Sequence, residues 1–356
     1  MKLINLAERG WIPDSLVRNG IQRLLTKRLK AETEKTDALQ AERLRAFVAE
    51  LDASPIAVDT DTANAQHYEL PAQFFKLHLG PRLKYSCCLF ATGRENLAGA
   101  EEAMLANYAD RAQIVDGHRI LDLGCGWGSF GLWAAARYPN STVVALSNSQ
   151  SQREYVEATA VERGITNLIV RTGNVVDFDF DADDLAGGFD RIVSIEMFEH
   201  MKNYRRLFAK VASWLKDDGR VFVHVFANRH LAYHFVDEGS DDWMARYFFS
   251  GGTMPSFDLF KTFDDDLVVE KRWWISGRHY ERTAEDWLRR MDFKRDEILR
   301  LFETAYGVDE AERWFQRWRM FYMSVAELFG YDEGRQWGVG HYRLAKRSVA
   351  TVTADA

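Results

Sequence analysis

The chain has 356 residues, of which 47% are hydrophobic and 28% charged, and this composition is typical of a globular protein rather than a disordered chain. Its formal net charge of −7 at pH 7 argues against nucleic-acid phosphate as the main partner, because that partner requires clustered cations. No apolar run approaches the roughly 18 residues of a membrane span and no secretory signal is recognisable, so we expect a cytoplasmic protein.

The N-terminal region, residues 1–65, is predicted to be helical. Within it, apolar residues recur at helical spacing among basic residues from Asp14 to Lys30, which predicts a basic amphipathic helix. Such a helix can pack on the body of the protein with its charges in solvent. It can also lie on a membrane surface or contact an acyl substrate, and the sequence leaves both interpretations open.

Residues 66–226 are predicted to form the core of the protein, and from Arg119 to about Phe226 short β-branched runs alternate with helix-length segments. This alternation predicts βαβ units and a parallel sheet, which together form a doubly wound, Rossmann-like α/β fold. The predicted strands are Arg119–Leu123, Thr142–Leu146, Leu168–Arg171, Arg191–Ile195 and Val221–Val225.

Residues 227–347 are rich in aromatic side chains and are expected to supply substrate-binding helices and the last strands. Helical periodicity is present at Ala284–Leu301 and at Asp309–Phe329. Leu267–Ile275 and Gly340–Lys346 are predicted to be strands that close the sheet in antiparallel fashion. Residues 348–356 are expected to form a flexible tail.

A glycine-rich turn joins the first predicted strand to a helix predicted over Phe130–Tyr138. Its glycines are Gly124, Gly126 and Gly128, and they would let the backbone approach a ligand closely because no Cβ intervenes. At the carboxyl end of the first strand of such a sheet, the turn is expected to cradle a nucleotide-like cofactor. A purely structural turn is the alternative.

Two details favour an adenosyl-amino acid over a dinucleotide. The glycine spacing is G-x-G-x-G instead of G-x-G-x-x-G, and Asp122 precedes the first glycine by two residues, where it can bind the ammonium group of the cofactor. The second strand runs into Asn148 without the acid that a nicotinamide dinucleotide would need. We therefore predict an S-adenosylmethionine-dependent methyltransferase with a class I sheet and no metal in its site.

The sequence Glu196-x-x-Glu199-His200 follows the fourth predicted strand and can supply acid–base groups. Residues three and four apart share one face where the chain turns helically. An aliphatic amine, with a pKa near the lysine value of about 10.4, is protonated at neutral pH and has no free lone pair. Carboxylates would attract this ammonium and an imidazole would accept its proton. Alternatively, Glu199 caps the following helix and His200 only packs.

Longer motifs resemble those of one family. They are His67–Leu70, Leu83–Cys88, Ser149–Tyr155, Ile195–Tyr204 and Phe329–Tyr331, together with the glycine turn. Through them the chain resembles, over nearly its whole length, the cyclopropane-fatty-acid synthase superfamily of methyltransferases. Within that superfamily it is most similar to the coclaurine N-methyltransferase-like branch, which methylates secondary and tertiary amines of plant isoquinoline alkaloids.

The resemblance also implies positions for the cofactor contacts. Tyr85 and Ser86 should reach the methionine part of S-adenosylmethionine, and Gln152 should lie near its ribose. Asn174 and Val175 fall at the adenine contacts, although relatives usually have Asp at the first of these positions. An amide can still accept a hydrogen bond from the adenine amino group. The predicted cofactor set is completed by Asn148 and Ile195.

The resemblance further implies an anion site, because the lipid-modifying relatives hold a bicarbonate ion that removes a proton from a carbocation. The residues at the matching positions are Cys87, Glu199, His224 and Tyr280. Glu196 takes the place of a glycine in those enzymes, as in the amine methyltransferases, and its negative charge should weaken anion binding. Buried residues with satisfied hydrogen bonds are the alternative for Cys87, His224 and Tyr280.

The sequence is compatible with three functions. N-methylation of a small secondary or tertiary amine is preferred. Methyl or methylene transfer to an unsaturated acyl chain, with bicarbonate as a cofactor only in that case, is the alternative, and a non-catalytic cofactor-binding protein is the third. The implied partner is a small amine or an acyl lipid, and the sequence leaves a homodimer and a peripheral membrane contact open.

Overall fold

A computed structural model describes residues 3–58, 70–180, 185, 187–235, 243–249 and 251–347. Among these residues, a seven-stranded sheet is formed by β1 (Arg119–Leu123), β2 (Thr142–Ser147), β3 (Leu168–Thr172), β4 (Phe189–Ile195), β5 (Leu215–Asn228), β8 (Leu267–Ser276) and β9 (Trp337–Lys346). Two short strands, β6 (Tyr233–His234) and β7 (Thr253–Met254), pair separately.

The strand order of the large sheet is β3-β2-β1-β4-β5-β9-β8. The pairs from β3 to β5 are parallel, whereas β9 is antiparallel to both β5 and β8. The predicted doubly wound α/β fold with late strands that close the sheet is confirmed. Strand order reverses at β1, which has β2 on one side and β4 on the other, and ligands of such sheets bind at the carboxyl ends of these strands.

The helices of the described residues lie before, between and after these strands. They are α1 (Leu3–Ala7), α2 (Asp14–Glu32), α3 (Asp37–Ala53), α4 (Ala72–His78), α5 (Leu97–Ala112), α6 (Ser129–Arg137), α7 (Gln150–Glu162), α8 (Tyr204–Trp214), α9 (Trp243–Tyr247), α10 (Gly277–Phe293), α11 (Arg295–Tyr306) and α12 (Val308–Gly330).

Apolar cores cover both faces of the sheet. Ile120 of β1 belongs to the core shared with α5, α6 and the C-terminal helices, whereas the next residue, Leu121, belongs to the core shared with α8. Successive side chains of a strand point to opposite faces, so a parallel strand covered on both sides needs a continuous apolar run. This requirement explains why β1 was recognisable in the sequence.

The helical periodicity over Ala284–Leu301 is confirmed, and the structure divides it between two helices. Helix α10 ends at Phe293 and α11 begins at Arg295. The buried positions Leu288, Met291 and Ile298 follow one helical stripe. Lys294 and Arg295 fall on that stripe where an apolar residue would be needed, and the chain breaks there.

Helix α2 packs on the C-terminal helices. Apolar residues of its stripe, including Val17, Ile21 and Leu25, lie partly buried against the large core. The Arg18 guanidinium forms ion pairs with Glu285 of α10 and Glu327 of α12 at 2.6 and 2.9 Å. None of the described helices is sufficiently long and apolar to cross a membrane.

Some predicted features lie outside the described residues: His67–Glu69 of the first family motif, the boundary placed at residues 65 and 66, and the tail at 348–356. The helix predicted over Phe130–Tyr138 corresponds to α6 (Ser129–Arg137), one residue earlier at each end. The C-terminal region supplies β8 and β9 to the same sheet as β1 to β5. The predicted regions 66–226 and 227–347 therefore contribute strands to one sheet and do not form two separate sheets.

Candidate active site

The glycine turn after β1 is held in a compact form by its two outer glycines. Gly124 and Gly128 have φ values of +82° and +76°, which residues with a side chain rarely adopt. A Cβ at Gly124 would lie 2.8 Å from Met197 Cγ, and one at Gly128 would lie 2.7 Å from Val156 Cγ2. Of the three glycines of this turn, only Gly126 has open space where a Cβ would lie.

A cavity opens in front of this turn, at the carboxyl ends of β1 to β4. Of the predicted cofactor residues, all except Gly128 line it: Tyr85, Ser86, Asp122, Gly124, Gly126, Asn148, Gln152, Asn174, Val175 and Ile195. Gly128 lies at the start of α6 behind the turn and supports its shape. The structure therefore brings together residues that are spread over about a third of the chain.

Two buried polar groups in this cavity suit an adenosyl-amino acid. Asp122 is 2% exposed, and its Oδ2 accepts a hydrogen bond from the Gly131 N–H at 2.9 Å. Burial raises the pKa of Asp122 to about 7, and a ligand ammonium beside this carboxyl would oppose that rise. Gln152 accepts a hydrogen bond from the Ser147 hydroxyl at 2.6 Å, whereas its buried Nε2 has no partner. That amide is a buried donor that could bind a ligand hydroxyl.

A second, largely apolar cavity adjoins the first, and the two share Tyr85, Glu196 and His200. The other residues lining it are Phe226, Phe235, Met244, Phe249, Met254, Tyr280, Trp287, Phe321, Val325, Leu328 and Phe329. Apolar walls with a few convergent polar groups are typical of a small-molecule site. The shared residues lie where a group could pass from one cavity to the other.

The Glu196 carboxylate is the polar centre of the boundary between the cavities. Its Oε1 accepts a hydrogen bond from the Cys87 backbone N–H at 3.0 Å and lies 3.0 Å from His224 Nε2. Its Oε2 accepts a hydrogen bond from the Tyr280 hydroxyl at 2.6 Å. Burial raises the pKa of Glu196, and the nearby Lys84 ammonium opposes this rise.

The four residues predicted for an anion site are not all arranged around one position. Cys87, His224 and Tyr280 meet at the Glu196 carboxylate, although Cys87 does so through its backbone while its thiol donates to the Cys88 carbonyl. Glu199 lies apart and lines neither cavity.

Glu199 is fully buried in the short 3₁₀ turn Phe198–His200. Its Oε1 accepts a hydrogen bond from the Phe226 N–H at 2.7 Å, and its buried Oε2 has no partner. Burial and the Glu196 charge raise the pKa of Glu199. The helix that follows is capped by Asn203, so Glu199 does not have the capping role considered above.

His200 lies beside Glu196 and faces both cavities. Its ring centroid is 4.8 Å from that of Phe249. Burial lowers the pKa of His200 to about 4, while the Glu196 charge opposes this shift. The imidazole is therefore neutral at pH 7 and able to accept a proton.

The family described as mycolic acid cyclopropane synthetase matches residues 58–332. The chain belongs to that family. The (S)-coclaurine N-methyltransferase of Thalictrum flavum subsp. glaucum is 38% identical over 351 residues, which cover 98% of this chain and 96% of that protein. The cyclopropane-fatty-acyl-phospholipid synthase of Escherichia coli (strain K12) is 31% identical over 227 residues, which cover 63% of this chain and 55% of that protein.

A solved structure has the same fold throughout. The crystal structure of coclaurine N-methyltransferase bound to N-methylheliamine and S-adenosylhomocysteine superimposes with a TM-score of 0.93 at 37% identity. The match covers 97% of this chain and 99% of that one. The chain is an S-adenosylmethionine-dependent methyltransferase.

Motif spacing missed several buried groups of this methyltransferase site. The Lys84 ammonium is 1% exposed and donates to Ser86 Oγ at 2.5 Å and to the Cys87 carbonyl at 2.7 Å. It thereby places a positive charge behind Glu196. Lys84 lies inside the motif Leu83–Cys88, so the signal was present in the sequence. His341 lies in the strand predicted at Gly340–Lys346, and its place behind His224 depends on strand pairing.

Proposed function

We propose that this methyltransferase transfers the methyl group of S-adenosylmethionine to the nitrogen of a small, apolar secondary or tertiary amine. The observation that carries the proposal is the position of the Glu196 carboxylate. Three donors, from Cys87, His224 and Tyr280, converge on it. A carboxylate that fills this position provides a fixed negative charge for an ammonium and leaves little room for a free anion.

The cofactor would be held by the groups that fit it at the glycine turn. Asp122 would bind its ammonium, Gln152 a ribose hydroxyl, and the rest of the predicted set would line its methionine and adenine parts. When bound, the cofactor supplies a methyl group on a sulfonium. Methyl transfer then depends mainly on positioning, for which the shared boundary of the two cavities is suited.

In the substrate cavity, Glu196 would attract the substrate ammonium and His200 would accept its proton. Each Glu196 oxygen can accept two hydrogen bonds, and Oε2 has one partner in the structure, so it can accept another from the amine. The apolar walls exclude water and lower the pKa of a bound ammonium. Aromatic faces around the site suit a cationic or aromatic amine.

Glu199 takes a different part in the proposal from the one the sequence suggested. Because it lines neither cavity and its pKa is raised, we assign the counter-charge for the ammonium to Glu196 instead. Glu199 would support the loop between β4 and α8 through its hydrogen bond to the Phe226 backbone.

Transfer to an unsaturated acyl chain is the second candidate. Its support is the family match and the meeting of Cys87, His224 and Tyr280, which the resemblance connects with bicarbonate. Against it stands Glu196, which occupies the point on which the three donors converge. A cytoplasmic location and a homodimer stay predictions from the sequence.

The proposal is tested with purified enzyme and S-adenosylmethionine labelled in the methyl group. Acceptors are an amine series that includes coclaurine and heliamine, and vesicles of unsaturated phospholipid. We expect label in N-methyl amines and none in lipid. Label in lipid alone, stimulated by bicarbonate, would overturn the proposal.

The role of His200 is tested with His200→Ala and, as a control, the exposed His230→Ala. With an amine acceptor, His200→Ala should lower kcat by about 10² to 10⁴. The loss should shrink as pH rises, because free amine then forms without a base. A pH-independent defect would assign His200 a purely structural role, as would an equal defect in His230→Ala.

A further inference from the structure

A second buried histidine lies directly behind His224. His224 of β5 and His341 of β9 are cross-strand partners, and both are fully buried. His224 Nδ1 lies 2.9 Å from His341 Nε2, while His224 Nε2 lies 3.0 Å from Glu196 Oε1. The two rings thus form a hydrogen-bonded chain that ends on the carboxylate of the site.

Arg111 of α5 lies at the outer end of this chain. Its Nη1 is 2.6 Å from His341 Nδ1, and its guanidinium stacks on Trp273 at 4.8 Å. A guanidinium has only donors, so His341 Nδ1 must accept. A neutral His341 therefore carries its hydrogen on Nε2 and donates to His224 Nδ1.

The tautomer of His341 also determines that of His224. Because His224 Nδ1 accepts, a neutral His224 carries its hydrogen on Nε2 and donates to Glu196. Tyr108 also faces His224 Nδ1 at 2.9 Å, but a hydroxyl can donate or accept and so follows either tautomer. Among these groups, only the arginine has a direction that no change of protonation alters, because the Glu196 carboxylate accepts while it is ionised and can donate when it is protonated.

Both rings are neutral in this environment. Burial lowers the pKa of His224 and of His341 well below the ordinary value, and nearby cations lower both further. The titratable and charged groups that face the two rings are Lys84, Tyr108, Arg111 and Glu196.

We propose that Arg111 and His341 are positioning residues that act on Glu196 through His224, by fixing both imidazoles as Nε2–H tautomers. Glu196 then faces an N–H group rather than a lone pair. This inference rests on the proposed role of Glu196 in binding the substrate ammonium. Without Arg111 the donor–acceptor direction of the hydrogen bonds through His341 and His224 can reverse. The unprotonated Nε2 of His224 would then face the Glu196 carboxylate.

The tautomers can be observed without any assay of activity. In protein labelled with ¹⁵N-histidine, two-bond ¹H–¹⁵N spectra distinguish Nε2–H from Nδ1–H rings, and His→Gln variants assign the signals. We expect Nε2–H for His224 and His341 in the wild type, and a mixture in Arg111→Met. An Nδ1–H His341 in the wild type would overturn the inference, whether or not the enzyme methylates amines.

Kinetics provide the second readout. Arg111→Met should lower kcat for the amine about tenfold and move the acid limb of the kcat/KM profile to higher pH, because Glu196 loses a donor that favours its ionised form. The groups that face Glu196 and shape that profile are Lys84, Cys87, Glu199, His200, His224 and Tyr280.

Two further variants separate positioning from packing. Arg111→Lys keeps a donor and should restore most of the wild-type profile. The exposed Lys271 also lies over Trp273, at 5.3 Å, so Lys271→Met is the matched control. If Arg111→Met and Lys271→Met give the same tautomers and the same pH profile, Arg111 has only a packing role and the inference is wrong.

Discussion

At the scale of single residues, the backbone of Glu196 is as informative as its carboxylate. Its φ of +48° lies in the left-handed region, which costs a residue with a Cβ about 1–2 kcal/mol. The resemblance places a glycine here in the lipid-modifying enzymes, and glycine adopts this conformation freely. A strained glutamate whose carboxylate meets three donors indicates that function, rather than stability, maintains this side chain.

Glu196→Gly should convert the carboxylate position into an anion site. The substitution removes the strain and frees the donors of Cys87, His224 and Tyr280, which are left buried without a partner. We expect amine methylation to fall at least 10²-fold, and bicarbonate to raise the melting temperature of the variant but not of the wild type. Thermal unfolding across a bicarbonate titration at constant pH and ionic strength measures this.

The exposed Glu333 is the matched control, since its φ is +55° and it is remote from the cavities. Glu333→Gly should relieve similar strain without a bicarbonate response and without loss of activity. Equal responses of the wild type and Glu196→Gly to bicarbonate would contradict the assignment of the carboxylate position.

Cofactor binding should depend on pH through Asp122. Since burial raises its pKa to about 7, the free protein holds a proton there below pH 7. A cofactor ammonium favours the ionised carboxylate, so binding must release this proton, and affinity should fall about tenfold per pH unit below 7. Calorimetry in two buffers of different ionisation enthalpy measures the proton release. Asp122→Asn should bind more weakly, by about 10- to 100-fold, with no such pH dependence.

At the scale of elements, the strands and helices that could be predicted are those with a periodic pattern of apolar residues. Strand β1 was predicted over its observed range because both its faces are buried. Strand β5 was predicted only over Val221–Val225, whereas it begins at Leu215, because Asp217 and Asp218 in its first part are exposed and give no strand pattern. Local alternation identifies an element's buried part and misses its solvent-exposed extension.

The candidate site also has residues that could be predicted from their spacing in the sequence and residues that could not. Glu196, Glu199 and His200 lie within five residues, so their spacing was visible in the sequence. The local 3₁₀ turn places Glu199 outside the lining of both cavities. No sequence pattern predicted this turn. Arg111 and His341 are 230 residues apart, and their contact requires the antiparallel pairing of β9 with β5.

A pair of glycines tests how closely α10 packs. A Cβ at Gly277, the first residue of α10, would lie 2.2 Å from the Phe329 carbonyl oxygen and 2.3 Å from that of Trp337. We expect Gly277→Ala to lower the free energy of unfolding by about 1–3 kcal/mol, as overpacking does. At Gly20 in α2 a Cβ would meet nothing, so Gly20→Ala should stabilise by about 0.5–1 kcal/mol. Urea unfolding compares them, and a neutral Gly277→Ala would show that the helix can shift.

At the scale of the whole molecule, charge complementarity joins the two ends of the chain. The first 35 residues carry eight Lys and Arg against four Asp and Glu, whereas the chain as a whole has a net charge of −7. Arg18 of α2 meets Glu285 and Glu327, and Arg319 of α12 meets Asp14 at 2.6 Å. Val17, Ile21, Leu25 and Leu29 of the apolar stripe of α2 pack against the large core, whereas Leu24 is exposed. Most of the stripe is therefore already used in the fold, which favours the packed helix over the membrane-surface helix.

This arrangement predicts that the wild type does not sediment with anionic phospholipid vesicles, because membrane insertion would require α2 to leave its partners. The double variant Glu285→Lys/Glu327→Lys replaces the attraction for Arg18 by repulsion while α2 itself is unchanged. We expect it to unfold at a lower temperature and to bind the vesicles. The control, Asp296→Lys/Glu303→Lys, makes the same change of net charge at exposed positions of α11 and should do neither. Vesicle binding by the wild type as tight as that of the first double variant would show that α2 serves the membrane in the native enzyme, and would strengthen the case for an acyl substrate.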